Sequence, residues 1–319
     1  MNKLRWGIIG PGKIAHQFAK DIKFVENAEL IAVASKSIER SSSFAREYAI
    51  PYHFDSYEDL YNSTEVDAIY VATTHNFHLK NSIDAIKAGK AVLCEKPLTS
   101  NLIDTKELIK TAQESETYLM EAMWTYFLPA IRKAKEWVDS GRIGQIVNLK
   151  ANFGYPKNYD PNSRLFNPEL SGGNLLDMGI YPVAMAWYFL ESEPQTYNVV
   201  MKKAESGVDS DVNMQLVYKN GLVANLHSSF QAKLNNHTYI IGEKGYIDIP
   251  DFWRSSECRL YKEEKIIDQF MDNRKGLGFE FQIEASSNDI IQGRLESAIM
   301  PHANSIKLQE LMGNIMSHF

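Results

Sequence analysis

From Leu4 to about Met120, short apolar runs alternate with stretches whose apolar residues recur at helical spacing. The runs Leu4 to Ile9, Leu30 to Ala34, Ala68 to Ala72, Ala91 to Cys94 and Tyr118 to Met120 read as strands. Between them lie amphipathic segments, including Asn76 to Ala88, stopped by Gly89, and Asn101 to Ser115. Strands separated by helices imply a parallel sheet, because a parallel connection needs a crossover. After Trp124 the rhythm changes. A helix over Pro129 to Ser140 and a strand over Ile146 to Phe153 lead into strands at Tyr197 to Lys202, Val212 to Tyr218, Leu222 to Ser229 and Tyr239 to Ile241. Lys219-Asn220-Gly221 is a hairpin signal between two of them. Strands that follow one another without helices imply an antiparallel sheet, and helices over Phe279 to Gln292 and Ser305 to Ser317 close the chain.

The pattern predicts an α/β protein. A doubly wound Rossmann domain spans residues 1–122, and an α/β domain with a large, mostly antiparallel open sheet spans 123–319, its last helix packing back on the first. A length of 319 residues suits two domains. Too few helices remain to cover both faces of the second sheet, so an apolar face is expected to pair with another subunit as a homodimer or higher oligomer. A net charge of -6 argues against nucleic acid and anionic membrane as partners. The chain shows no leader pattern and no run near the ~18 apolar residues of a membrane span. Its two cysteines, Cys94 and Cys258, are too few for a disulfide framework. The expected location is the cytoplasm.

Gly10-Pro11-Gly12-Lys13-Ile14-Ala15 follows the first strand and opens a helix, in the form GxGxxA. Gly10 permits the tight turn, Gly12 admits a pyrophosphate close to the backbone, and Ala15 lets the helix pack on the strand, while the helix start offers free amides, including those of Lys13 and Ile14. An NAD site usually carries an acid at the end of the second strand. Here that end reads Ser35-Lys36 with Arg40 beyond, which suits a 2′-phosphate, so NADP(H) is expected in preference to NAD(H). The less favoured alternative is that Lys36 and Arg40 are ordinary surface charges.

Glu95-Lys96-Pro97 stands at the end of a strand, on the edge where open α/β sheets bind ligands. With the glycine turn and the run Gly172-Gly173-Asn174-Leu175-Leu176-Asp177-Met178-Gly179-Ile180-Tyr181, the chain resembles the glucose-fructose oxidoreductase, inositol dehydrogenase and MocA family over essentially its whole length. The resemblance implies that Lys96 lies beside the nicotinamide, that the Lys96-Pro97 peptide is cis, and that Glu95, Pro97 and the loop Thr73-Thr74-His75-Asn76, with His78 and Trp124, contact the cofactor. Many members place histidine four residues after the aspartate, where this chain has Tyr181. Tyrosine there, with Met120 to Thr125, is similar to the branch of dimeric dihydrodiol dehydrogenases and NADP-dependent D-xylose dehydrogenases. Tyr126 stands where that branch often has arginine.

Removing hydride from a carbinol carbon requires a base for the hydroxyl proton. The phenol of Tyr181, with an ordinary pKa of about 10, can serve if a neighbouring ammonium such as Lys96 favours the phenolate. Asp177, one helical turn earlier, would share the face of Tyr181 and could orient Lys96 or a substrate hydroxyl. Trp124, Phe153, Arg164, Trp253 and Phe279 are candidates to line a pocket for a small polyhydroxylated substrate. His75 and His78 lack companions for a metal site, so no metal is expected. The reading is an NADP-dependent dehydrogenase of CH–OH groups acting on a sugar, polyol or vicinal diol. The alternative is a catalytically silent protein that senses NADP(H) or a sugar.

Overall fold

The computed structural model describes residues 3–318, so Met1, Asn2 and Phe319, the ends of the two expected domains, lie outside the described residues. The chain divides into two units: one comprises 1–124 and 274–306, the other 125–273 and 307–319.

The first unit is built on strands β1 (Leu4–Ile9), β2 (Ala28–Ala34), β3 (Tyr52–Phe54), β4 (Ala68–Val71), β5 (Ala91–Glu95) and β6 (Leu119–Ala122), all parallel, in the order β3-β2-β1-β4-β5-β6. The order reverses direction at β1 and β4, and the loops leaving their carboxyl ends therefore diverge around a crevice, the place where such sheets bind ligands. Helices α1 (Lys13–Asp21), α2 (Ile38–Tyr48), α3 (Tyr57–Tyr61), α4 (His78–Lys87) and α5 (Leu102–Glu114) connect the strands. β4 and β5 are buried along their whole length, as expected of central strands covered on both faces. One face packs Ile69, Val71, Val92, Ile86, Leu108 and Ile109 into a core. On the other, Trp6 meets Phe18 edge to face at 5.6 Å and Phe18 stacks on Tyr70 at 4.3 Å.

The second unit holds α6 (Pro129–Asp139), α7 (Ile180–Leu190) and an eight-stranded sheet of β7 (Ile146–Gly154), β8 (Thr196–Lys203), β9 (Asp209–Val217), β10 (Val223–Ser229), β11 (Thr238–Gly242), β12 (Gly245–Ile249), β13 (Glu257–Lys262) and β14 (Lys265–Met271). Its order is β14-β13-β12-β11-β7-β10-β9-β8, antiparallel throughout except for β7 beside β10. The hairpin at Lys219-Asn220-Gly221 joins β9 to β10, with Gly221 at φ +82. The fold is thus the Rossmann sheet plus the mostly antiparallel open sheet that the hydrophobic pattern predicts.

Strand alternation sends Leu149, Ala151 and Phe153 of β7 toward the helices and Asn148, Lys150 and Asn152 away from them. The outer face is not the apolar patch expected. Asn198, Gln215 and Asn225 form a cross-strand ladder, Asn198 Nδ2 donating to Gln215 at 3.3 Å and Gln215 Nε2 to Asn225 at 3.4 Å, and Tyr246 stacks on Tyr261. Side-chain amides bridging neighbouring strands satisfy one another, so an uncovered sheet face need not be apolar. A groove of about 710 Å³ on this face involves none of the expected site residues.

After β14 the chain returns to the first unit through α8 (Phe279–Ile291), and α9 (His302–Met316) ends it. The penultimate helix, rather than the last one as a whole, belongs to the Rossmann unit, and from Lys307 onward α9 belongs to the second. Asp21 fastens the α8 start, accepting N–H bonds from Leu277 (3.0 Å), Gly278 (3.2 Å) and Phe279 (3.0 Å). Trp6 Nε1 donates to Ser287 Oγ at 3.0 Å. Among the described residues, no helix is long and apolar enough to cross a membrane, and no cluster of three His, Cys, Asp or Glu side chains could hold a metal.

Candidate active site

The glycine turn sits where β1 passes into α1. Gly10 has φ +78, and a Cβ there would lie 2.9 Å from Thr73 Cγ2 and 3.0 Å from Ala72 O, so both conformation and space demand glycine. Gly12 has an extended backbone, and a Cβ there would meet only Gly10 O at 3.9 Å. Its value is the open approach it leaves to the start of α1. No side chain caps that helix and no acid stands in its first turn, which leaves the amides of the first turn available to an anion. Ala15 is buried, while Lys13 and Ile14 are exposed.

At the end of β2, Ser35 is buried and its Oγ accepts from Ser37 N at 3.3 Å. Ser37 caps α2 and its hydroxyl donates to Glu39 at 2.6 Å, a bond that holds the Glu39 carboxyl below its usual range. Lys36 and Arg40 are exposed, and Lys36 Nζ stands 5.1 Å above the ring of Phe77. Phe77, absent from the sequence reading, lies in the turn His75–Phe77 that precedes α4. α4 therefore begins two residues later than the pattern suggests.

In that loop, Thr74 Oγ1 donates to Asn76 at 2.8 Å, and Asn81 holds Thr73 Oγ1 at 3.1 Å. His75 and Asn76 are half-buried. His78, expected to contact the cofactor, is instead wholly buried: Nδ1 lies 2.9 Å from Pro97 O and Nε2 3.1 Å from Thr73 O. Burial lowers its pKa. It bridges the β4 loop and the β5 turn: the ring lies between two backbone carbonyls, and the neutral imidazole that burial favours donates its single N–H to one of them.

The turn after β5 is Glu95-Lys96-Pro97, with the Lys96-Pro97 peptide cis. Lys96 is half-buried, and Glu95 accepts a short hydrogen bond from Tyr70 OH. Beneath them Glu121 of β6, 2% exposed, accepts from Leu98 N at 3.0 Å through Oε1. Burial pushes Glu121 up to about 7, Ser305, the Leu98 amide and Lys96 pull it down, and Glu95 adds to the rise. Tyr70 carries no motif of its own, and Glu121 enters the sequence reading only within the run Met120 to Thr125, with no role of its own. Trp124 and Phe279 meet at 4.7 Å, both buried.

In the second unit, Tyr181 lies in the first turn of α7, 7% exposed, its ring 5.2 Å from Phe153 and 6.4 Å from Trp253. Phe153 and Trp253 meet at 5.3 Å. Two of the expected pocket residues, Phe153 and Trp253, thus share one aromatic cluster with Tyr181. Tyr155 joins it, under Lys233 Nζ at 4.2 Å. Tyr126, fully buried, donates to Ala184 O of α7 at 2.7 Å. It anchors the helix that carries Tyr181.

Asp177 and Tyr181 are not related by a regular α-helical turn. Leu175–Gly179 form a π-helical turn, the wider spacing that precedes Pro182, whose ring and missing N–H exclude a regular bond to the preceding turn. Asp177 pairs with Arg164 Nη1 at 2.9 Å. The half-exposed Arg164 is therefore a partner of the acid as it stands.

The comparisons with known proteins cover nearly all of the chain. A model of an oxidoreductase family with an NAD-binding Rossmann fold matches residues 4–123, and a model of the GFO/IDH/MocA C-terminal domain matches residues 131–248. The chain is 31% identical to trans-1,2-dihydrobenzene-1,2-diol dehydrogenase of Mus musculus, covering 97% of this chain and 95% of that protein. Against the dehydrogenase of the same name from Xenopus tropicalis the identity is 32%, covering 98% and 96%. Among solved structures, aldose-aldose oxidoreductase from Caulobacter crescentus complexed with glycerol superposes with a TM-score of 0.90 at 25% identity, covering 99% of this chain and 97% of that one. A 3-ketoreductase from Actinomadura kijaniata in complex with NADP and TDP-benzene shares the fold, with a TM-score of 0.89 at 24% identity and coverage of 99% and 98%.

Proposed function

Because this chain belongs to the GFO/IDH/MocA oxidoreductase family, we propose that it is a dehydrogenase moving a hydride between NADP(H) and a carbinol carbon of a small sugar, polyol or vicinal diol. The observation that carries this reading is the full-length similarity to diol dehydrogenases in a chain that also keeps the glycine turn, Lys96 and Tyr181. The nicotinamide supplies the hydride chemistry. Tyr181 takes the hydroxyl proton in oxidation and returns it in reduction, and Lys96 supplies the positive charge that favours its phenolate. The aromatic cluster of Phe153, Tyr181 and Trp253 offers apolar faces to a ring or carbon chain.

The uncapped start of α1 would hold the pyrophosphate. Lys36 and Arg40 would pair with a 2′-phosphate, since Glu39, the nearest acid after β2, is bound to Ser37. The preference for NADP(H) rests on those charges. Two buried, unbridged thiols, Cys94 and Cys258, suit the reducing cytoplasm in which we place the enzyme. Self-association through the open sheet would use the amide ladder and stacked tyrosines of its outer face.

The test follows nicotinamide absorbance with NADP⁺ or NAD⁺ against aldoses, polyols and vicinal diols, including trans-1,2-dihydrobenzene-1,2-diol, beside Tyr181→Phe. Turnover with NADP⁺ that collapses in the variant supports the reading. Tight NADPH binding without turnover of any compound would favour the sensor instead.

A further inference from the structure

The glycine-led segment that carries Asp177 and Tyr181 is fastened from beneath by residues far away in sequence. Asp209, at the start of β9 and 2% exposed, accepts from Leu175 N at 2.6 Å through Oδ2. The Asn174 amide points to the same carboxylate. Gly173 has φ +128, and a Cβ on it would collide with Asp209 Oδ1. Gly172 is closed in by Leu165 O and Asn167 O, each 2.8 Å from where its Cβ would stand. At Gly179 a Cβ would lie 2.9 Å from Ser228 Oγ. Ser228 of β10 is fully buried and pairs with the side-chain amide of Asn174. With its nitrogen turned to Ser228, that amide also donates to Ser228 O at 3.0 Å and accepts from Phe230 N at 3.3 Å.

These contacts explain why the segment needs glycine at three places: Gly172 and Gly173 leave room for groups that grip the backbone, and Gly179 leaves room for Ser228, which grips the Asn174 side chain. They also mark one carboxylate as the group that sets the helix start. A helix start has amide donors with no partner in the helix itself. Burying a carboxylate costs several kcal/mol unless it is well bonded, and Asp209 spends its bonds on these amides. Tyr181 follows Leu175 by six residues along the same continuous helical path. A shift of the start moves the phenol.

We propose that Asp209 is a positioning residue for Tyr181, holding the π-helical start through the Leu175 amide, with Ser228 holding the adjacent Asn174. The inference rests on the reading of Tyr181 as the acid-base residue. A misplacement of about 1 Å at a reacting group can cost about 100-fold in rate, and a loss of that size in kcat is expected of Asp209→Ala. NADPH affinity, measured by nicotinamide fluorescence, should stay within about twofold, because the glycine turn belongs to the other unit.

The deciding experiment is a double-mutant cycle on the best substrate of the diol and sugar panel, using Asp209→Ala, Tyr181→Phe and both together. If Asp209 acts through Tyr181, removing the carboxylate in the Tyr181→Phe background costs almost nothing further. Asp209→Asn, which keeps an acceptor oxygen at the same reach, recovers most of the kcat lost in Asp209→Ala. Should Asp209→Ala fail to fold, Ser228→Ala carries the same cycle through the adjacent Asn174. Additive losses, or an equal fall of NADPH affinity, would overturn the positioning role while leaving Tyr181 as the acid-base residue. Full turnover by Tyr181→Phe, or no turnover by the unaltered enzyme across the panel, would instead overturn the functional reading, and the inference with it.

Discussion

The turn from Glu95 to Leu98 and the helix start from Gly172 to Tyr181 are each anchored by a buried carboxylate, and the two carboxylates stand in unlike surroundings. Glu121 accepts one amide, that of Leu98, and lies among charges, with Glu95 raising its pKa and Lys96 lowering it. Asp209 is surrounded by backbone amides, and no charged neighbour shifts it. Burial raises both, Glu121 to about 7 and Asp209 to about 6. One acid is therefore coupled electrically to the residue proposed to tune the chemistry. The other is a mechanical tie. The same side-chain type serves a charge balance in one unit and a geometry in the other.

The comparison can be broken most forcefully at Lys96. Lys96→Met should lower kcat by about 100-fold or more, the usual scale of a lost acid-base contribution, with NADPH still bound. A kcat unchanged in steady-state assays would remove the electrical half of the contrast.

Glu121→Gln sharpens it through stability. A raised carboxyl binds its proton more tightly in the folded state than in the unfolded one. The stability this confers is fully present below the unfolded value near 4.5 and is lost as pH rises through about 7. The shift corresponds to a change on the order of 3 kcal/mol. Glutamine keeps an acceptor for the Leu98 amide and does not titrate. Denaturant unfolding should therefore show the variant gaining on the unaltered protein between pH 5 and pH 8, where a constant gap would contradict the assignment.

Gly10→Ala meets both a positive φ and the contact with Thr73. It should cost about 1–3 kcal/mol in stability and weaken NADPH binding, read by thermal unfolding with and without NADPH. The smallest expected effect is at the end of β2. Lys36→Ala should weaken NADPH binding by about 5-fold, in the range of one exposed charge pair, and leave NADH binding unchanged by fluorescence titration.

The two regions also differ in how legible they are in the sequence. The glycine turn, the β5 turn and the strands that bear them can be read because each is a contiguous motif beside a continuous apolar run. Tyr181 and its aspartate are legible for the same reason. Asp209 is not, because it lies 34 residues from its partner Leu175 on a strand with no signature. Glu121, on β6, is legible only as a member of the run Met120 to Thr125, and its place beside Cys94 of β5 is not. Strands β12 and β13 are left out of that reading although Cys258 and Leu260 of β13 alternate with Glu257, Arg259 and Tyr261, and β14, at the edge of the sheet, is exposed along most of its length. β3 is only three residues long. The return of residues 274–306 to the first unit depends on Asp21 gathering the α8 start, a contact 256 residues apart in the chain. Local period carries no trace of it.

The most direct measurement is NADP⁺ reduction by the unaltered enzyme and by Tyr181→Phe on the same diol and sugar panel, with NADPH affinity measured on the same preparations. A loss of about 100-fold or more in kcat with NADPH affinity unchanged is the predicted result. Equal turnover by both proteins would contradict the proposed chemistry.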